Sequence, residues 1–273
     1  MSTQRGEAAV PRGPPSDRQL GRDALHSDEP CDWGPMVRDG GGLAGGHCSQ
    51  HLAAAVAHLA VADRFLAWNA APRSADASSY SGVMAKGILI VDVQNDFTEG
   101  GALGTEGGAA VAAAITEHLR THSYDLVVAS RDWHDGDNDN GGHFAAGEPD
   151  FVGTWPVHCV AGTPGADYHP ALDALAIDVH VKKGQGKPAY SAFEGTTDDG
   201  ETLGEVLEEQ GIDELDVVGI ATDYCVKASA LDAALAGITV TVIDALTSAV
   251  SPETRATALD EMRDGGVQVA RRH

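Results

Sequence analysis

Apolar positions along this chain follow two regimes. Runs at 87–93, 125–130, 178–182, 215–221, 238–243 and 266–270 are short and rich in β-branched residues. Near-continuous apolar runs of that length suit strands buried on both faces of a parallel sheet. Between them, apolar residues recur at helical spacing near 107–122, 202–210, 223–236 and 251–264. Local punctuation agrees: Gly211 and Gly237 stop two helices, and Ser251 followed by Pro252 starts another. Strands alternating with helices predict an α/β fold, a three-layer sandwich with a six-stranded, mainly parallel sheet and helices on both faces. With strand order 3-2-1-4-5-6, the switch point lies between the first and fourth strands, where ligands bind beyond the carboxyl ends.

The first part of the chain breaks this rhythm. Residues 1–83 are rich in Gly, Pro and small polar residues, and bury too little apolar surface to offset chain entropy. They read as a largely disordered extension, with one helix expected over 51–68. His47, His51 and His58 lack a partner cluster at ligand spacing. Met84, just before the first strand, is a candidate start, which would make 1–83 an artefact of start choice. The body is 84–273.

Charge narrows the classes of function. The chain carries 41 acidic and 18 basic residues, a formal charge of −23. From residue 84 on there are 32 acids against 11 bases. That field repels nucleic acid and anionic lipid, so neither is an expected partner. It also fits a halophilic protein that stays soluble where salt screens self-repulsion. No apolar stretch is long enough to span a membrane, and residues 1–30 lack the apolar core of a signal peptide. Four cysteines without C-x-x-C spacing fit free thiols in a reducing cytoplasm. A homo-oligomer is compatible with this sequence but not specified by it.

The chemistry gathers at the strand ends. The first strand runs into Asp92, the second into Asp132-Trp133-His134, the third into Lys182-Lys183, and the fourth into Thr222-Asp223-Tyr224-Cys225. A carboxylate ending an apolar strand is costly unless paired or used, although Asp92 could simply cap the turn that follows. Strand alternation turns one of the two lysines toward the crevice. Cys225 falls in the first turn of the helix after the fourth strand, where the helix dipole favours a thiolate. Backbone N–H groups near Ala221 and Cys225 could receive an oxyanion. The plainer reading of Cys225 is a small buried thiol. Asp132, His134, His143 and His158 offer a carboxylate and three imidazoles, a set suited to Zn²⁺, or to Fe²⁺ or Mn²⁺, in an open site. The alternative is a solvated, salt-adapted loop. The loop from 131 to about 170 is long for a compact domain, which usually signals function. Phe97, Trp133, Trp155 and Tyr190 could form a slot for a flat ring, although each alone reads as core.

Five stretches carry a resemblance: IVDVQNDFTEGGALG at 90–104, RDWH at 131–134, WPVHCVAGTPGADYHP at 155–170, AYSAFEG at 189–195 and VVGIATDYCVK at 217–227. The chain resembles the nicotinamidase (pyrazinamidase) branch of the isochorismatase-like cysteine hydrolases, over about 87–270. The resemblance implies a triad of Asp92, Lys183 and Cys225, and an oxyanion hole at Ala221 and Cys225 after a non-proline cis peptide at 220–221. It implies one divalent metal on Asp132, His134, His143 and His158, and a pyridine pocket walled by Phe97, Trp155 and Tyr190. The implied reaction is hydrolysis of nicotinamide to nicotinate and ammonia in NAD salvage, with pyrazinamide as a further substrate. Two departures stand out: the 135–142 stretch is longer than the family pattern, and Tyr224 stands where relatives often carry histidine. The alternatives are another small-amide or carbamoyl hydrolase of the superfamily, or a non-catalytic metal-binding protein.

Overall fold

The computed structural model describes residues 84–271. The expected extension 1–83, its helix at 51–68 and its histidines lie outside the described residues.

Six strands form one sheet in the order β3-β2-β1-β4-β5-β6, as the sequence reading anticipates. They are β1 Ala85–Val91, β2 Leu126–Asp132, β3 Val179–Lys183, β4 Ile212–Ile220, β5 Thr239–Ser248 and β6 Gln268–Ala270. Every pairing is parallel, so "mainly parallel" sharpens to wholly parallel. Four α-helices connect them: α1 Gly108–Thr121, α2 Leu203–Glu209, α3 Lys227–Leu235 and α4 Pro252–Asp264.

The alternation of β1 explains the three layers. Leu89 and Val91 point into one apolar cluster, which includes Leu203 and Leu207 of α2, Ala230 and Ala233 of α3, and Met262 of α4. Ile88 and Ile90 point into the other, with Val111, Ala112 and Ile115 of α1. The run 88–91, apolar at every position, is thus covered on both sides and shows no period-two pattern.

The helices begin where side chains satisfy their first N–H groups. Thr202 and Glu205 form a reciprocal cap on α2, and Ser251 accepts from the Thr254 amide before Pro252 opens α4. Two boundaries differ from expectation by the most. β5 extends to Ser248, well past 243. The helix expected from 223 begins instead as a π-helical turn, Thr222–Val226, before α3 takes over. Cys225 therefore sits in a π turn, a motif frequent at functional sites.

Candidate active site

The carboxyl ends of β1, β2, β3 and β4 converge at the switch point, and parallel register decides which side chains meet. Asp132 of β2 pairs with Lys183 of β3. Lys183 is completely buried. Its ammonium is ion-paired with Asp132 Oδ1, lies 3.0 Å from Asp92 Oδ2, and donates to the Ala189 carbonyl at 3.3 Å. It stands 3.6 Å from Cys225 Sγ. Lys182 points outward and pairs with Asp198 at 2.6 Å. Asp92 follows β1 with a left-handed φ of 48°, which turns its side chain inward. Its Oδ1 accepts from Ser130 Oγ at 2.7 Å, leaving Oδ2 toward Lys183.

Burial sets the protonation pattern. Burial alone would lower the Lys183 pKa, but the Asp132 and Asp92 charges outweigh it and hold the ammonium well above its usual range. Asp132 is also pushed up by burial, yet Lys183 and the flanking imidazoles keep it ionised, well below the carboxylate range. Asp92 goes the other way. Burial raises it, with help from the nearby Asp132 charge, and outweighs the pull of Lys183. Cys225 is likewise raised by burial against the pull of Lys183. Burial thus opposes the thiolate that a place in the first turn of a helix favours, with the Asp92 carboxyl as a neighbour of the sulfur.

On the other side of Asp132, His134, His143 and His158 bring one ligand atom each within 4.8 Å of one another. His134 Nδ1 bonds the Gly184 carbonyl at 2.8 Å, and His158 Nδ1 bonds the Pro156 carbonyl at 2.7 Å. Each bond fixes its ring and leaves Nε2 toward the cluster. Gly184 is needed for the first: a Cβ there would sit on the His134 ring, and its φ is +85°. Asp132 Oδ2 lies 3.6 Å from His134 Nε2 and 3.7 Å from His158 Nε2. His134 Nε2 and His143 Nδ1 are buried with no hydrogen-bond partner. Burial, with the His134 and His158 rings, pushes His143 down to about 3, so its imidazole is neutral. Orphaned imidazole nitrogens, the His143 ring being neutral, beside an ionised carboxylate fit a divalent cation.

A cavity of about 400 Å³ opens onto both groups. Phe97, Trp155 and Tyr190 line it, together with Asp132, His143, His158, Ala221 and Cys225. Trp155 Nε1 donates to the Tyr190 hydroxyl at 3.0 Å, fixing two walls against each other. The Ile220–Ala221 peptide is cis, as the resemblance implies. Trp133 is not a wall: it packs under Arg131 at 4.7 Å and Lys182 at 4.8 Å, away from the slot.

An isochorismatase domain model matches residues 86–273. The nicotinamidase/pyrazinamidase of Mycobacterium tuberculosis is 49% identical over 185 residues, covering 67% of this chain and 97% of that protein. The chain belongs to the isochorismatase family. Within that family it is also similar to a solved pyrazinamidase of Pyrococcus horikoshii in complex with zinc. That match has 35% identity and a TM-score of 0.58, covering 68% of this chain and 98% of the other. A second match is an L. infantum protein in complex with nicotinate, at 32% identity and a TM-score of 0.60, covering 68% of this chain and 92% of the other.

The isochorismatase domain also uses residues that sequence reasoning passed over. Gln94 is buried; its Oε1 accepts from the Asp132 amide at 2.8 Å and its Nε2 donates to the Asp132 carbonyl at 2.9 Å. It thus holds the backbone of the acid between lysine and imidazoles. Ser130 was legible in principle, since it shares a strand face with Asp132 at period two. Asp96 accepts from the Cys159 amide at 2.7 Å and steadies the residue after His158. Phe151, which also lines the cavity, carries no periodic signal because it lies outside the strands, whereas Tyr224, noted above as a departure from the family pattern, does line the cavity.

Proposed function

We propose that this chain is a nicotinamidase, a cysteine amidohydrolase that converts nicotinamide and water to nicotinate and ammonia and also accepts pyrazinamide. The observation that carries this reading is Lys183 bridging Asp92, Cys225 and Asp132, with an aromatic slot opening onto both Cys225 and the imidazole cluster. The similarity to a nicotinamidase/pyrazinamidase supports the substrate class.

The chain's own residues account for the steps. Asp92 takes the Cys225 proton, and the positive charge of Lys183 stabilises the thiolate as it forms. Sulfur attacks the carboxamide carbon, and the carbonyl electrons move onto oxygen, which the Ala221 and Cys225 N–H groups receive. When the C–N bond breaks, Asp92 returns its proton to the departing ammonia. Water then attacks the thioester carbon. Asp92 accepts its proton, the C–S bond breaks, and the sulfur is reprotonated as nicotinate leaves. A raised carboxylate pKa suits a group that both accepts and donates a proton within one cycle. Phe97, Trp155 and Tyr190 sandwich the ring and hold the amide over the sulfur.

Asp132, His134, His143 and His158 would hold one divalent metal, Zn²⁺ by the donor set, supplying a Lewis-acid anchor for the ring nitrogen. Both cysteines among the described residues are free, which supports a reducing, cytoplasmic setting. The acid excess supports a halophilic origin.

The test is ammonia release from nicotinamide by the full chain in molar KCl, with and without a chelator. Release that the chelator abolishes and added Zn²⁺ restores is the expected result. No release from folded, metal-loaded protein would overturn the assignment.

A further inference from the structure

The outer edge of the cavity is built by two aromatic residues that the mechanism does not use. Phe151 sits at φ +55°, a conformation that bulky residues rarely adopt, and its side chain is half exposed. It is held there by a knot in the chain. Asp150 Oδ1 accepts the Val152, Gly153 and Thr154 amides at 2.9, 2.9 and 2.8 Å. The Asp150 amide in turn bonds Thr154 Oγ1 at 3.1 Å, and the Phe151 amide bonds the Thr154 carbonyl at 3.1 Å. A left-handed phenylalanine kept by so many bonds points to a use for its position.

Tyr224 completes that edge. Its hydroxyl donates to the Phe151 carbonyl at 3.3 Å, tying the turn beside the nucleophile to the knot. Its ring meets Trp155 edge-on at 5.0 Å and stacks with Tyr190 at 6.1 Å. Tyr224 also lines a second hollow of about 300 Å³, with Lys227, Glu253, Thr254 and Thr257 on its other walls. Tyr224 thus borders both spaces. A bare pyridine carboxamide leaves much of the 400 Å³ cavity unfilled, so the limit on substrate length lies at this edge.

We propose that Tyr224 is a specificity-determining residue: its ring separates the catalytic cavity from the neighbouring hollow and blocks ring-substituted amides, while its bond to Phe151 sets the place of the ring. This rests on the nicotinamidase reading and adds its substrate limit. The substrates it excludes are pyridine carboxamides with a chain too long for the cavity but short enough to enter the hollow.

The experiment compares kcat/KM for nicotinamide with that for a panel of butyl-substituted nicotinamides, one isomer for each free ring carbon. The wild type, Tyr224→Phe and Tyr224→Ala are each metal-loaded and checked for folding by thermal unfolding. In Tyr224→Ala, the preference for nicotinamide over the best-accepted isomer should fall tenfold or more. Tyr224→Phe keeps the ring but loses the tie, and should raise KM for nicotinamide about two- to tenfold, as one lost hydrogen bond would, while keeping most of the preference. A folded Tyr224→Ala variant with unchanged preference overturns the partition. The same holds if Tyr224→Phe relaxes the preference as much as alanine does, since the ring would then not be the barrier. A wild type that leaves nicotinamide untouched sinks the parent reading instead, so the two failures are distinct.

Discussion

Lys183 is the residue on which the two halves of the site depend. Its ammonium contacts two buried carboxylates and the Cys225 sulfur, and removing a partner from such a cluster costs about 3–5 kcal/mol by leaving a charge uncompensated. The sulfur and the imidazoles lie on opposite flanks of that cluster, so their losses should be separable. Cys225→Ala should abolish turnover, leaving at most about a thousandth of the wild-type rate, while a purified, dialysed sample keeps its stoichiometric metal. His134→Ala should lose both. Metal analysis beside an ammonia assay decides the matter, and full metal retention in folded His134→Ala would remove His134 from the ligand set.

At the level of elements, the site depends on how β4 leaves the sheet. β4 pairs with β1 up to Val91 opposite Gly219, and its register with β5 shifts between Val217 and Gly219. Gly219 has φ +114°, and a Cβ there would collide with the Val91 backbone. The strand can approach β1 this closely, and then turn into the Cys225 segment, only with glycine at this point. Gly219→Ala should therefore cost roughly 3–5 kcal/mol of stability, from backbone strain plus overpacking. Gly237 is the control: its φ is +86° but a Cβ there meets nothing within 4 Å. Gly237→Ala should cost only about 1 kcal/mol, through its backbone conformation alone. Thermal unfolding of the two variants measures the difference, and equal melting temperatures would refute the close-approach argument.

Across the whole molecule, surface charge is the dominant feature. With 32 acids and 11 bases from residue 84 on, self-repulsion opposes the compact state at low ionic strength. The Debye length is about 3 Å in 1 M salt and about 30 Å in 0.01 M, so molar KCl removes most of that repulsion. Activity and melting temperature should rise together with KCl and be lowest in dilute buffer. Full activity without added salt would count against salt adaptation. Charge balance within the site is local and buried, so ligand and nucleophile assignments do not depend on this outcome.

The six strands, their parallel arrangement and the cap of α4 were legible from sequence because each depends on residues close together in the chain. A continuous apolar run such as 88–91 announces burial on both faces, and Ser251 before Pro252 announces a helix start. The switch point followed once the strand order was assumed, which placed Asp92 and Cys225 on one rim. Alternation also said that one of Lys182 and Lys183 turns inward. It could not say which, because that depends on the β2–β3 register that sets Asp132 opposite Lys183. The same limit hid Gln94, which works through hydrogen bonds to a backbone 38 residues away. It misplaced Trp133, whose neighbours Arg131 and Lys182 come from adjacent strands. It also favoured a thiolate at Cys225, because a dipole is a local property, whereas burial is imposed by every element packed around the sulfur. Local pattern determined the elements and the candidate residues; only three-dimensional packing decided which of them touch, and in which protonation state.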